Sequence, residues 1–334
     1  MKSYRFAIVG ATGLVGRTFL KVLEEEKINV REIRLFASPK SKGKKLLFHG
    51  KEVEVDILQK GCFQGCDFAL FSAGASVSKE WAPVAAKEGA LVVDNSSQWR
   101  MDSNCALIVP EINIEDYKNA SRIIANPNCS TIQSVLPLKP LEDAFSLTRV
   151  TYTTFQAVSG SGEKGIDDYH RCLEGKEPQF YPYNIAKTCI PEIDIPMEEG
   201  YTKEEIKMVN ETRKILHHPS LKVSATCVRV PVEVGHGVSI QAEFLKPFTI
   251  EKVKELLSSF EGIKVVDDLP HHIYPVSTLA LDNNYVYVGR IRKDLARENS
   301  LLFYCVANNV RKGAAANAVQ IVEKIIHEEE AHNV

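Results

Sequence analysis

The sequence predicts an α/β protein with a doubly wound parallel sheet and a second, α+β domain built on a large mixed sheet. Three observations carry that expectation. Short β-rich runs alternate with helical patterns over the first half, longer strand-like runs follow from about residue 148, and the chain closes on a strong helix former, "GAAANAVQIVEKIIHEEE". With 334 residues, 44% of them apolar and 25% charged, there is material for about two globular cores.

The first-half runs are "RFAIVG" (5–10), a helix near 14–26, "IRLFAS" (33–38), "DFALFS" (67–72), a helix near 77–88, "ALVVDNS" (90–96) and "RIIAN" (122–126). A strand that rejoins its sheet through a helix pairs in parallel, so this alternation implies crossovers. The later runs are "TRVTYTTFQAV", "KVSATCVRVPVEV", "GVSIQAEFL", "NYVYVGRIR" and "LLFYCVANN". They suit a mixed or antiparallel sheet, with helices on one face and the other free to meet a partner subunit. The closing helix is expected to pack back on the first domain, which gives domains of 1–128 with 311–334, and 129–310.

Bulk properties exclude several function classes. A net charge of −2, from 41 basic and 43 acidic residues, leaves no global field to hold nucleic acid or an anionic membrane. The opening "MKSYRFAIVGATGLVG" is broken by glycines before it reaches signal-peptide length, and reads as a first strand. No apolar run reaches the roughly 18 positions of a membrane-spanning helix. The eight cysteines, at 62, 66, 105, 129, 172, 189, 227 and 305, are scattered, as expected of reduced thiols in a cytoplasm. The closest pair, in "CFQGC", has no second Cys or His pair at zinc spacing, so it is structural and no metal site is expected.

"AIVGATGLVGRTFLKVL" places Gly10, Gly13 and Gly16 between a strand and an amphipathic helix. Glycine permits positive φ and close backbone approach, and a helix N-terminus offers unpaired N–H groups to an anion. A dinucleotide pyrophosphate meets that description, although GxxGxxG is a looser spacing than the Rossmann GxGxxG. A NAD site would carry an acid about 20 residues further on to grip the ribose. Here stands "ASPKSKGKK", whose Ser38, Lys40 and Ser41 suit a 2′-phosphate and argue for NADP, while Lys42, Lys44 and Lys45 fit a solvated basic loop.

"ANPNCSTIQSV" (125–135) sets Cys129 between an Asn-Pro-Asn turn and a run of helical spacing. A thiol titrates at about 8.5 when free, and a helix N-terminus favours its anion. Single cysteines are more often small core residues, and that reading is kept for the other seven. For Cys129 the polar setting beside a nicotinamide-binding domain points to a nucleophile. His236, in the glycine-flanked "VEVGHG", is the candidate proton partner among nine histidines; His327 and His332 fall in the terminal helix or tail, and the pairs His217-His218 and His271-His272 in loops.

"GATGLVG", "DNSSQWR", "NPNCSTIQ", "TFQAVSGSG", "NETRKI", "RVPVEVGH" and "NNVRKGAAANAVQI" together resemble, in order and spacing, the aspartate-β-semialdehyde dehydrogenase family over essentially the whole chain. The resemblance implies a cytoplasmic homodimer, or a dimer of dimers, with a catalytic and dimerisation domain beside the NADP(H) domain. It implies reduction of aspartyl phosphate through a thioester on Cys129, with His236 as acid/base and Gln156 positioning the acyl group, on the route to lysine, methionine and threonine. Arg100 and Lys214 then match phosphate ligands, Glu211 the ammonium acceptor, Arg229 the carboxylate clamp, and Asn128 a further substrate contact. Taken alone, Glu211 and Lys214 read equally well as an exposed helix pair. On the cofactor side the match covers Gly10, Thr12, Gly13, Leu14, Val15, Gly16, Ser38, Lys40, Ser41, Ser72, Gly74, Ser159, Gly160 and Asn309. Asn308, Lys40 and Gly237 depart from the family pattern, which often has Asp, Arg and Ser there. N-acetyl-γ-glutamyl-phosphate reductase, which favours Gly-Cys-Tyr at the thiol, and a non-catalytic redox sensor are the competing readings.

Overall fold

The structure, a computed structural model, describes residues 2–332, which fall into two compact units: 2–127 with 314–332, and 128–313. The first unit comprises β1 (Tyr4–Val9), α1 (Leu14–Glu25), β2 (Val30–Phe36), β3 (Lys45–Phe48), β4 (Lys51–Asp56), β5 (Phe68–Phe71), α2 (Ala75–Lys87), β6 (Leu91–Asp94), α3 (Pro110–Asn113) and β7 (Ile123–Ala125). The sheet runs β3-β4-β2-β1-β5-β6-β7, parallel except at β3. "FAIV" in β1 is buried throughout, as a central strand with both faces covered must be.

The β3–β4 hairpin was not among the expected strands. Its two-residue loop, His49-Gly50, has positive φ at both positions, 48° and 72°, which matches the twist of the strands it joins. One sheet face packs Phe36, Phe63, Ala82 and Ala85, and the other packs Ile8, Phe19 and Leu23 against the last helix.

The second unit comprises α4 (Cys129–Phe145), β8 (Leu147–Gln156), α5 (Glu163–Leu173), α6 (Lys203–Ile215), β9 (Lys222–Arg229), β10 (His236–Phe244), α7 (Ile250–Ser259), β11 (Ile263–Val265), β12 (Val286–Lys293) and β13 (Ser300–Ala307). A π-helical turn at Arg311–Ala315 leads to α8 (Ala316–His332), which returns to the core of the first unit. Its sheet runs β11-β12-β13-β10-β8-β9 and is mixed: β8 pairs parallel with β9 and antiparallel with β10. The three-residue β11 was likewise not foreseen.

Buried Val150, Tyr152 and Thr154 alternate along β8 with the more open Thr151, Thr153 and Phe155, so one sheet face is core and the other is not. Helix α4 is buried almost all round and holds Pro137 and Pro140. Pro137 has no N–H for the carbonyl of Gln133, and the Cys305 thiol donates to that carbonyl instead, at 3.5 Å. None of the eight cysteines is in a disulfide.

Candidate active site

Cys129 is the first residue of α4, partly exposed, with Asn128 as N-cap. The Asn128 Oδ1 accepts from the backbone N–H of Ser130 at 3.0 Å and of Thr131 at 3.2 Å. The thiol therefore stands at the positive end of a capped 17-residue helix, where an anion is favoured. Among the described residues it is the one cysteine at a helix N-terminus.

Asn128 itself is 6% exposed and its amide is committed to protein partners. Its Nδ2 donates to Glu204 Oε1 at 2.8 Å, and its backbone N–H to Glu211 Oε2 at 2.6 Å. The Oδ1 end of the amide thus caps the helix and the Nδ2 end ties it to Glu204. Glu211 is also 1% exposed, a buried acid whose Oε2 accepts from the Asn128 backbone N–H.

Glu204, absent from the expected set, is the hub. Its Oε1 also accepts from Gln156 Nε2 at 3.0 Å, while Lys207 reaches Oε2 at 3.1 Å. The Gln156 amide is held at its other end by the Thr154 hydroxyl, which donates to Oε1 at 3.0 Å. Burial by itself raises the Glu204 carboxyl, but Lys207 and the two amides outweigh it and hold it below the usual carboxylate range. A charged acid and a cation thus flank the amide beside the thiol helix. Glu204 and Lys207 share the three-residue spacing of Glu211 and Lys214, and the same signal in "KEEIK" was available to find them.

His236 opens β10 and is fully buried. Its Nδ1 accepts from the Ala157 backbone N–H at 2.9 Å, so the proton of the neutral ring lies on Nε2. That nitrogen has no protein partner. Burial, and then Arg229, push the imidazole well below its ordinary range, which keeps the ring neutral.

Arg229, 5% exposed, lies in register with Gln156 on the neighbouring strand and donates to the Ala157 carbonyl at 2.7 Å. Gly160 packs on both: a Cβ there would sit 2.7 Å from Arg229 Nη1 and 3.1 Å from His236 Nε2. The neighbouring Ser159 hydroxyl bonds Asn309, whose Oδ1 also accepts from the Gly235 N–H at 2.9 Å. Gln133, one turn beyond Cys129, donates to the His236 carbonyl at 3.0 Å, so α4 and β10 are pinned together.

In the first unit, Gly10 has φ of +86°, and a Cβ on it would lie 2.4 Å from the Ser72 carbonyl oxygen. A Cβ on Gly16 would lie 2.1 Å from Gly10 O, so both positions exclude side chains. Gly13 is the N-cap of α1 with no side-chain cap and no acid in the first turn, leaving the Leu14 and Val15 end of the helix to an anion. Gly74 opens α2 in the same uncapped manner. Thr12 touches Ser41 at 3.4 Å, while Ser38 and Lys40 are exposed. Lys42 and Lys45 instead pair with Asp56 and Glu52, as solvated lysines do. Arg100, 7% exposed, follows β6 and is held by backbone carbonyls. No His, Cys, Asp or Glu cluster able to hold a metal occurs among the described residues, and no helix there is long and apolar enough to cross a membrane.

Two family models match the chain: "Semialdehyde dehydrogenase, NAD binding domain" over residues 5–120 and "Semialdehyde dehydrogenase, dimerisation domain" over 138–312. An aspartate-semialdehyde dehydrogenase of Aquifex aeolicus is 52% identical, covering 97% of this chain and 98% of that relative. A crystal structure of aspartate semialdehyde dehydrogenase II from Vibrio cholerae, complexed with ASA, superposes with a TM-score of 0.93 at 42% identity, covering 98% of this chain and 99% of that one. The enzyme from Candida albicans, solved with NADP, gives 0.77 at 27% identity over 96% and 98%. A cysteine at the head of a capped helix, a buried neutral histidine and a glycine loop that excludes side chains accord with these likenesses, and the chain belongs to the aspartate-semialdehyde dehydrogenase family of amino-acid-biosynthetic oxidoreductases.

Proposed function

We propose that the chain catalyses the NADPH-dependent reductive dephosphorylation of L-aspartyl-4-phosphate to L-aspartate 4-semialdehyde and phosphate, in lysine, methionine and threonine biosynthesis. The observation that carries it is the Cys129 thiol at the head of α4 in the unit where His236 offers a buried, unpartnered Nε2–H. Cys129 Sγ attacks the acyl carbon; the C–S bond forms as the C–O bond to phosphate breaks, and phosphate leaves with the electron pair. The resulting thioester accepts hydride far more readily than a carboxylate, which is what covalent catalysis contributes. Bound NADPH supplies that hydride. Collapse of the thiohemiacetal returns Cys129 and releases the aldehyde.

The His236 Nε2–H donates a hydrogen bond to the oxygen that gains charge. Taking up a second proton would require giving up the Ala157 N–H bond, so the resting ring is a donor. Gln156 holds the acyl group, its own orientation set by Thr154 and Glu204. Glu204 takes the place expected of Glu211 as acceptor for the substrate ammonium, with Lys207 in that of Lys214 as the phosphate cation; Arg229 clamps the α-carboxylate and Arg100 the phosphate. Asn128 acts through Cys129 and Glu204.

The pyrophosphate of NADP(H) is assigned to the loop of Gly10, Thr12, Gly13, Leu14, Val15 and Gly16, with Ser72 and Gly74 beside it. Its 2′-phosphate goes to Ser38, Lys40 and Ser41, and its nicotinamide end to Ser159, Gly160 and Asn309. Exclusion of side chains at Gly10 and Gly16, and the absence of an acid directly after β2, support that assignment. The matched dimerisation domain supports a homodimer, and the open face of the second sheet is assigned as its interface.

The test is the reverse reaction: semialdehyde, phosphate and NADP should produce absorbance of NADPH. Cys129→Ala should lower the rate by about 10⁴-fold or more while leaving NADP binding in place. An undiminished rate would overturn the thioester route.

A further inference from the structure

We propose that Asn126 is a positioning residue that aims the Arg100 guanidinium at the phosphoryl group, and that Asn317 extends the same restraint into α8; this rests on the reading of Arg100 as the phosphate ligand. Arg100 Nε donates to the Asn126 carbonyl and Nη2 to the Asn95 carbonyl, each at 3.0 Å. Because the donors of a guanidinium lie in one plane, two such bonds to separate carbonyls set the direction of the whole fork.

The two residues that own those carbonyls are tied together. Asn126 Nδ2 donates to Asn95 Oδ1 at 2.7 Å and to the Ala314 carbonyl at 3.1 Å. Asn126 Oδ1 accepts from Asn317 Nδ2 at 2.8 Å, and Asn317 gives a second bond to the Ile108 carbonyl at 3.0 Å. The Asn126 backbone N–H is bound to the Asp94 carbonyl at 2.8 Å. Asn126 and Asn317 are wholly buried.

A buried amide is costly unless its polar atoms are paired, and an apolar side chain would fill such space more simply. Asn126 instead spends both Nδ2 protons and its Oδ1 on Asn95, Ala314 and Asn317, which fixes the residue whose backbone carbonyl, with that of Asn95, receives the Arg100 guanidinium. In the sequence Asn126 stands in the turn before Cys129, and Asn317 in the closing helix former.

Steady-state kinetics in the reverse direction, with phosphate, semialdehyde and NADP varied separately, test the proposal. Asn126→Asp keeps size and the Oδ1 acceptor but removes the Nδ2 donors; its phosphate KM should rise about tenfold, since small misplacements of a clamp are costly. Asn317→Leu, further along the chain, should raise it about threefold. The KM values for NADP and semialdehyde, and the rate of Cys129 alkylation, should stay within twofold of the parent. Arg100→Lys is the reference and should raise phosphate KM at least as much. Unchanged phosphate KM in both asparagine variants overturns the proposal. So does a parallel rise in all three KM values with a lowered Tm, the mark of a structural role only. If Arg100→Lys leaves phosphate KM unmoved, the phosphate reading of Arg100 fails and the positioning role with it, while loss of activity in Cys129→Ala would still uphold the thioester chemistry.

Discussion

Around Cys129 the polar side chains are buried and bonded to one another, Glu204 to Asn128, Gln156 and Lys207, whereas around Gly10 the groups that face the proposed pyrophosphate site are backbone and the nearby Ser38 and Lys40 stand in solvent. The first arrangement fixes angles between charged groups before substrate arrives. The second fixes only a path for the chain and lets the helix terminus do the binding. Preorganised dipoles in a dry site act on charge that develops during reaction, while a cofactor retained by N–H groups needs space more than aim. Substitutions should therefore fall on kcat in one region and on cofactor KM in the other.

Glu204→Ala is expected to give the largest effect among these substitutions. It strips a common acceptor from Asn128 and Gln156 and removes one of the carboxylates paired with Lys207, whose other ion pair is to Asp194 at 2.6 Å. Breaking a buried charge-paired group typically costs about 3–5 kcal/mol. Turnover should fall about 10²-fold or more with NADP KM unchanged, and Glu204→Gln should recover part of the loss by keeping the shape. A loss confined to NADP KM would erase the contrast between the two regions.

How much of this was legible in the sequence follows the same contrast. The parallel sheet, the glycine loop and the strand carrying His236 were readable because period and glycine spacing report backbone directly. The β3–β4 hairpin was hidden in a lysine-rich run that scored as loop, although His49-Gly50 is a turn dipeptide by its own chemistry. Glu204 was hidden for a different reason. "TKEEIK" has the signature of a helix start, Glu205 completes a capping box with Thr202, and nothing in that spacing sets the adjacent Glu204 apart from a surface acid. The choice between "KEEIK" and "NETRK" depends on which helical turn faces Asn128, a tertiary fact that a three-residue spacing repeated in both turns does not encode. Likewise the tautomer of His236 is set by Ala157, distant in sequence.

Gly10→Ala should come next in size. The substituted residue would have to hold φ near +86° and place its Cβ 2.4 Å from the Ser72 carbonyl. Holding a non-glycine residue in that region costs about 1–2 kcal/mol before any clash is counted. NADP KM should rise at least about tenfold by isothermal titration or kinetics, with Cys129 alkylation unaffected. Equal losses in thiol reactivity would mean that the loop and the thiol site do not act separately.

The smallest effect is expected in the pH dependence of stability, and it belongs to the bonded region alone. His236 is held neutral in the folded chain, first by burial and then by Arg229, and its folded pKa lies well below 6.5. Below about pH 6.5 the unfolded chain gains a proton that the folded chain refuses, so stability must fall as pH drops and be unaffected by this group above about pH 7.5. The slope from one such histidine is at most about 1.4 kcal/mol per pH unit. His236→Asn keeps an acceptor for the Ala157 N–H and removes the titration. Urea midpoints for parent and variant, measured from pH 5 to 8, should therefore converge or cross on acidification, with the parent losing more. Parallel curves over that range would mean that the ring is already charged or already open to water, and the dry, preorganised character assigned to the thiol site would be lost with it.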